Sequence, residues 1–110
     1  MIANVLGTEY KIKVSNRVEE PELNECKAFC DVYSKEIVID DGEVDKKNVS
    51  AVRDMDSFKR ESIRHELIHA FLYESGLHQN TWAGNEEIVD FFAIQYPKIA
   101  KLFSECGCAN

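Results

Sequence analysis

One long stretch of this chain lacks helix-breaking residues and carries apolar side chains at helical spacing. No glycine or proline occurs between Ser57 and Ser75, and Gly76 follows directly, which favours a helix end there. Asp54, Asp56 and Ser57 each offer an oxygen that can cap the first turn. The apolar side chains of this stretch are Phe58, Ile63, Leu67, Ala70, Phe71 and Leu72. The pattern predicts a helix that packs one side against the rest of the protein.

The predicted helix carries the motif His-Glu-x-x-His, with its histidines at His65 and His69. Histidines at i and i+4 lie on one helix face, where two imidazoles can bind a single Zn²⁺. Glu66 is placed to act as general base toward the water that attacks a substrate. The same spacing also arises by chance, with packed or solvated histidines and with Glu66 paired to Arg64 or Lys59. Because the helix around the motif is well bounded, we expect the metal site.

A catalytic zinc usually has three protein ligands and an open position, so a third side chain is needed. Asn85 is a good N-cap and places Glu86 in the first turn of a second predicted helix. Asp90 lies one turn further on the same face, where it can accept the N–H of a zinc histidine and fix its tautomer. Glu86 is the expected ligand, and Glu87 or His78 are the alternatives. Acidic residues are also ordinary in a first helical turn without any metal.

The two motifs together, H-E-x-x-H and then N-E-x-x-x-D, resemble those of the gluzincin branch of the zincins, a class of zinc metallopeptidases. The resemblance implies three zinc ligands, one general base and one hydrogen-bond partner of a ligand. The implied zinc ligands are His65, His69 and Glu86. The implied general base is Glu66, and the implied hydrogen-bond partner of a ligand is Asp90. Most of the chain also resembles small metallopeptidase-like proteins encoded in bacterial prophages. The stretches that carry this second resemblance are Leu6–Tyr10, Cys30–Ile39 and Arg64–Leu77.

The chain departs from the gluzincin pattern after the first motif. Only a short connector separates His69 from Glu86, and the given sequence ends soon after the second helix. Gluzincins carry a further helical domain, which supplies the group that steadies the tetrahedral intermediate. The candidates that could replace this group are His78, which we favour, and Tyr73, Tyr96 and Arg64.

Composition excludes several classes of partner. The 110 residues predict a single domain, 1–110, with one core of modest size. A formal net charge of −7, from 13 basic and 20 acidic residues, disfavours a nucleic-acid partner, and Arg60 and Arg64 are expected to form a solvated stripe. No apolar stretch is long enough to span a membrane and no signal sequence follows Met1, so we expect a cytoplasmic protein without a membrane partner. The sequence leaves the oligomeric state open.

Four cysteines occur in two close pairs, Cys26 with Cys30 and Cys106 with Cys108. A cytosolic chain keeps its thiols reduced, so four free thiols are expected, with Cys30 packed on a strand. The alternative is a second, structural metal site with four thiolate ligands. Neither spacing is the usual C-x2-C of such sites, which favours the free thiols.

The rest of the chain predicts the scaffold. Tyr10, Ile12 and Val14 alternate with lysines as in a half-buried strand, and Phe29–Tyr33 with Glu36–Ile39 predicts a hairpin. The segment 17–26 is either a short helix or a loop. The second helix is expected from residue 86 to about 95, where the proline at 97 kinks it or starts a final helix. The expected fold is α+β: a minimal zincin-like domain with a small antiparallel sheet of about three strands on two or three helices.

These parts predict zinc-dependent peptide-bond hydrolysis, with Glu66 as general base and Zn²⁺ as cofactor. The resemblance to zincins implies an extended polypeptide substrate along a sheet edge, a binding mode in which backbone hydrogen bonds give affinity. The alternative is a zinc-containing but non-proteolytic structural or regulatory protein of phage origin, which engages a protein partner. A metal-free helical scaffold requires the motif to be accidental.

Overall fold

The computed structural model describes residues 1–43, 54–77 and 80–110 of the chain. It has the predicted α+β class, with a four-stranded sheet and two long helices. The strands are β1 (Ile2–Val5), β2 (Thr8–Ser15), β3 (Ala28–Asp31) and β4 (Glu36–Asp40), and the helices are α1 (Met55–Glu74) and α2 (Glu86–Glu105). Two short 3₁₀ turns, Pro21–Asn24 and Trp82–Gly84, complete the described elements. Neither long helix is apolar enough over its length to cross a membrane.

The strands follow one another across the sheet in the order β1-β2-β4-β3. The predicted hairpin of β3 and β4 is confirmed, with Ala28 opposite Ile39. The sheet is nevertheless mixed, because β2 and β4 pair in parallel, with Lys11 opposite Glu36. The predicted strand count was one too low, since β1 pairs antiparallel with β2. β1 is only four residues long, and its sequence Ile-Ala-Asn-Val does not alternate apolar with polar residues, although Ala3 and Val5 are more buried than Ile2 and Asn4.

Tight turns close both hairpins. Leu6 and Gly7 connect β1 to β2 with positive φ values of 51° and 94°, as in the turns that suit the twist of a hairpin. At the other hairpin, Asp31 Oδ1 accepts hydrogen bonds from the backbone N–H groups of Tyr33 and Ser34. Lys35 then has φ 61°, which brings the chain back into β4 at residue 36.

The core lies between α1 and one face of the sheet. Its fully buried members include Tyr10, Ile37 and Ile39 from the sheet and Ala70 from α1. The absence of a large side chain at Ala70 allows the helix and the sheet to approach closely. Burying an isoleucine such as Ile37 contributes roughly 1.5–3 kcal/mol. Of the alternating residues predicted for β2, Tyr10 and Ile12 are buried, whereas Val14 is exposed.

Helix α1 begins and ends as its sequence indicates. The Asp54 side chain accepts a hydrogen bond from the Ser57 backbone N–H at 3.0 Å, and Gly76 has φ 89° after the last turn. The C-terminal turn is tied to the sheet through Glu74. Its Oε2 accepts hydrogen bonds from the Tyr10 hydroxyl and from Lys35 Nζ, each at 3.2 Å. These contacts fix the orientation of the α1 face that bears the histidines.

Helix α2 corrects two predictions. It does not end near Gln95 or restart at Pro97, but continues to Glu105 with Pro97 inside it. Proline lacks an N–H, so it cannot donate to the carbonyl of Ala93, four residues earlier. That carbonyl accepts a hydrogen bond of 2.7 Å from Arg64 Nε instead. Arg64 is therefore not part of a solvated stripe with Arg60, because its guanidinium is half-buried between the helices.

Candidate metal centre

Helix α1 directs the two histidines of the motif to the same place. His65 and His69 stand one turn apart, and their Nε2 atoms lie 3.1 Å from each other. The ring centroids are 4.8 Å apart and the planes are inclined at 67°, so the rings converge at an edge instead of stacking. Both side chains are partly buried. The arrangement directs two imidazole nitrogens toward one point.

Helix α2 brings a carboxylate to that point. Asn85 caps the helix by accepting from the Glu87 and Ile88 N–H groups, and this cap sets the rotation of the first turn. With that rotation, Glu86 Oε2 lies 3.1 Å from His65 Nε2 and Glu86 Oε1 lies 3.1 Å from His69 Nε2. Glu87 contributes no atom to the cluster. The rotation of the helix about its axis thus directs Glu86, and not the adjacent Glu87, toward the histidines.

The three side chains fit a tetrahedral cation. Zinc bound at about 2.0–2.1 Å places neighbouring ligand nitrogens about 3.3 Å apart, close to the 3.1 Å found between the histidines. One ligand atom from each of His65, His69 and Glu86 lies within 4.8 Å of the others, and no other such group of three occurs within residues 1–43, 54–77 and 80–110. With both Nε2 lone pairs turned inward, as ligands require, the imidazoles would repel the carboxylate, and a cation among them would offset that repulsion. The donor set, two imidazoles and one carboxylate, suits Zn²⁺.

Asp90 holds the other side of one histidine ring. Its Oδ1 lies 2.8 Å from His65 Nδ1. In a neutral imidazole one nitrogen carries the proton, and the carboxylate keeps that proton on Nδ1. Nε2 of His65 then presents its lone pair to the point between the ligands. Asp90 therefore fixes both the tautomer and the orientation of the ring.

Glu66 lies beside the cluster without joining it. Its Oε1 is 4.0 Å from His65 Nε2, and the side chain is buried. Burial raises the pKa of Glu66 to about 7, the charge of Glu86 adds to the increase, and His65 opposes it. A carboxyl group that titrates near neutrality can both accept and return a proton. The position and the pKa suit a general base and acid.

A cleft of about 1020 Å³ opens onto the cluster. One wall comes from β3 and its flanks, the other from α1, and the 3₁₀ turn Trp82–Gly84 contributes to its end. β3 is an edge strand of the sheet, with β4 as its neighbour. Side chains that line the cleft away from the cluster include Cys26, Cys30, Tyr33, Leu72, Tyr73 and Leu77. The cluster thus lies along a strand edge that borders a large cleft.

The cleft also contains residues that sequence reasoning did not assign to the site. Cys26 and Cys30 both line it, and burial, with the charge of Glu66 as the next cause, raises the pKa of the Cys30 thiol to about 12. Cys30 lies on β3 whereas Cys26 precedes that strand, so alternation along the strand could not have placed both against the cleft. Cys106 and Cys108 are exposed beyond the end of α2, and all four thiols are free. The structure brings no four-thiolate site together.

The candidates for a group that steadies the intermediate are dispersed. Tyr73 lines the cleft, two turns beyond His65 on α1. Arg64 bonds the Ala93 carbonyl, and Tyr96 lies on α2 away from the cleft lining. His78, the favoured candidate and the alternative third ligand, lies outside the described residues.

Sequence similarity adds nothing to this geometry. Comparison of the chain with protein-family models, with curated proteins and with solved structures found no significant match. The chemistry of the cluster is therefore inferred from the side chains themselves. They are two imidazoles and one carboxylate at ligand spacing, with a buried carboxyl group beside them.

Proposed function

We propose that the protein is a zinc-dependent peptidase that acts in the cytosol. The observation that carries the proposal is the convergence of His65, His69 and Glu86, with Glu66 buried at its side. The resemblance of both motifs to those of gluzincins, and of most of the chain to small prophage-encoded metallopeptidase-like proteins, supports the same assignment. Bound Zn²⁺ would supply a Lewis acid that activates water and polarises a scissile carbonyl.

The residues of the chain have distinct tasks in this reaction. His65, His69 and Glu86 would hold the ion, and Asp90 orients His65 through Nδ1. Glu66 accepts a proton from the attacking water and delivers it to the leaving nitrogen. Burial raises the pKa of Glu66 above its ordinary value, which favours its return of the proton to the leaving nitrogen.

The substrate we propose is an extended polypeptide. β3 is an edge strand whose flanks line the cleft, so a peptide can add to the sheet there and lie past the cluster. Backbone hydrogen bonds then supply affinity without a sequence requirement. The net charge of −7 argues against nucleic acid in this role.

Metal content and turnover test the proposal together. Native mass spectrometry with elemental analysis should find one Zn²⁺ per chain, and the double substitution of His65→Ala and His69→Ala should remove it. Glu66→Gln should retain zinc, since Glu66 is not among the ligands, and should lower cleavage of unfolded polypeptide libraries roughly 10²-fold or more. The control is wild type at matched zinc loading.

A second function has one observation in its favour. Of the candidates to steady the intermediate, Arg64 and Tyr96 do not line the cleft, and Arg64 is engaged by the Ala93 carbonyl, so the described residues offer only Tyr73 for that task. A zinc-containing binding protein would retain the metal yet cleave nothing. Equal, negligible cleavage by wild type and Glu66→Gln, together with a host protein retained intact by zinc-loaded wild type, would favour that function over the peptidase.

A further inference from the structure

Pro97 creates a free hydrogen-bond acceptor in the middle of α2. Inside a helix each carbonyl accepts from the N–H four residues later, and Pro97 has none to offer to Ala93. Arg64 Nε on α1 donates to the Ala93 carbonyl at 2.7 Å, in a partly buried position. An unmade bond at a buried carbonyl is costly, and a charged donor makes a strong one.

This contact lies next to both halves of the metal cluster. Arg64 directly precedes His65 on α1, and Ala93 follows Asp90 by three positions, close to one turn of α2. The same two helices pack against each other and carry the histidines on α1 and Glu86 and Asp90 on α2. A bond that fixes one helix against the other at this level also fixes the ligands.

We propose that Arg64 and Pro97 act as a pair that sets the register of α1 against α2 and thereby positions Glu86 and Asp90 on the histidines. Pro97 leaves the Ala93 carbonyl, in the interior of α2, without a helical donor, and Arg64 supplies the donor instead. Arg64 is a positioning residue, because it acts through the ligands. The proposal rests on the cluster binding a divalent cation.

The register is specified because the neighbouring interior carbonyls already have helical partners. A shift of α2 by one turn would move it about 5.4 Å along its axis. Arg64 would then face a carbonyl that is already bonded, and Ala93 would lose its donor. The same shift would carry Glu86 out of reach of His65 and His69, which now lie 3.1 Å from its oxygens.

A double-mutant cycle with Zn²⁺ as the probe tests the pair. Arg64→Met keeps the aliphatic stem and removes the donors, whereas Pro97→Ala restores an N–H for Ala93. Zinc affinity would be measured by competition with a chromophoric chelator for wild type, both single variants and the double variant. Arg60→Met is the matched control, since Arg60 is one turn away and its guanidinium bonds the exposed Ser57 hydroxyl. Circular dichroism verifies that each variant is folded.

We expect Arg64→Met to weaken zinc binding about 10-fold or more when Pro97 is present, on the scale of other changes that disorient a ligand. With Pro97→Ala the same substitution should cost no more than about 3-fold, because the carbonyl then has a helical donor and the two positions are coupled. Arg60→Met should have no effect. Equal losses in both backgrounds, or unchanged affinity in Arg64→Met, would overturn the pair while leaving the metal site intact. Failure of wild type to bind zinc would instead overturn both the site and the pair.

If Arg64→Met does not fold, Arg64→Lys carries the test. Lysine keeps the charge but presents one compact ammonium in place of the planar guanidinium. We expect intermediate zinc affinity with Pro97 and near wild-type affinity with Pro97→Ala. An identical affinity in the two backgrounds would contradict the proposed pairing.

Discussion

Asp90 on α2 lies 2.8 Å from the Nδ1 atom of His65 on α1, so a carboxylate on one helix decides which nitrogen of a ring on the other carries the proton. With the proton on Nδ1, the Nε2 atom of His65 carries a lone pair that points to the space shared with His69 and Glu86. It also orients the ring before any ion arrives. Much of the affinity of the site should therefore depend on a residue that is not itself a ligand.

Asp90→Asn should weaken zinc binding by about 10-fold to 100-fold, because the amide no longer holds the proton on Nδ1 by charge. Chelator competition at pH 7 measures the change. Glu87→Gln provides the control, since this substitution also removes a negative charge near the N-terminus of α2 but touches no ligand. An equal loss in both variants would attribute the effect to general electrostatics.

Glu86→Ala should weaken zinc binding by more than the roughly 100-fold upper range for Asp90→Asn, because it removes a ligand outright. Glu87→Ala should leave affinity within about 3-fold, since the Asn85 cap turns that side chain away from the cluster. Isothermal titration of the metal-free protein with Zn²⁺ makes the comparison. A larger loss in Glu87→Ala than in Glu86→Ala would mean that helix phase differs by one residue.

Glu66 should destabilise the metal-free protein as pH rises. Its pKa is about 7 in the folded state against an ordinary value of 4.5, so between these values the unfolded chain releases a proton that the folded protein keeps. The stability contribution is therefore lost as pH increases from 4.5 to 7, by about 3 kcal/mol in all. In urea unfolding with a chelator present, the free energy of unfolding of Glu66→Gln should increase relative to that of wild type across this pH window. Parallel pH curves for the two proteins would be incompatible with a raised pKa.

Tyr10→Phe should lower the free energy of unfolding by about 1 kcal/mol, because it deletes the hydrogen bond from a buried hydroxyl to Glu74. Burial, with the charge of Glu74 as the next cause, holds the pKa of the Tyr10 hydroxyl well above its ordinary value. Tyr33→Phe is the matched control, since Tyr33 is 87% exposed in the β3–β4 turn. Urea unfolding measures both, and a loss as large in Tyr33→Phe would locate the effect outside the Glu74 contact.

The sequence was most informative where chemistry and periodicity coincide. Spacing alone placed His65 and His69 on one helix face, and the Asn85 cap favoured Glu86 as the third ligand but left Glu87 as an alternative. The β3–β4 hairpin followed from alternation and from turn residues. These are local properties of the chain, so they can be read without knowledge of the fold.

The features that escaped prediction depend on distant partners. Pro97 predicts a helix end on local grounds, but Arg64 compensates for the bond it removes, and α2 continues. The parallel pairing of β2 with β4 leaves no trace in the alternation of either strand, because both parallel and antiparallel neighbours accept the same pattern. Cys30 reaches the cleft only because β3 lies at the sheet edge beside α1. None of these relationships is a property of neighbouring residues.

The strand order also bears on how the chain folds. Each antiparallel pair, β1 with β2 and β3 with β4, closes through a short turn and can form early. The parallel pairing of β2 with β4, here called the seam, joins the two hairpins and sets Ile12 opposite Ile37, far away in the sequence. This pairing must form before α1 has a continuous sheet surface to cover. Non-local pairings of this kind slow folding, since chain entropy is lost before contacts compensate. We therefore expect truncation at the seam, such as Ile37→Val, to slow refolding, and truncation at the periphery, such as Val5→Ala, to act mainly by speeding unfolding.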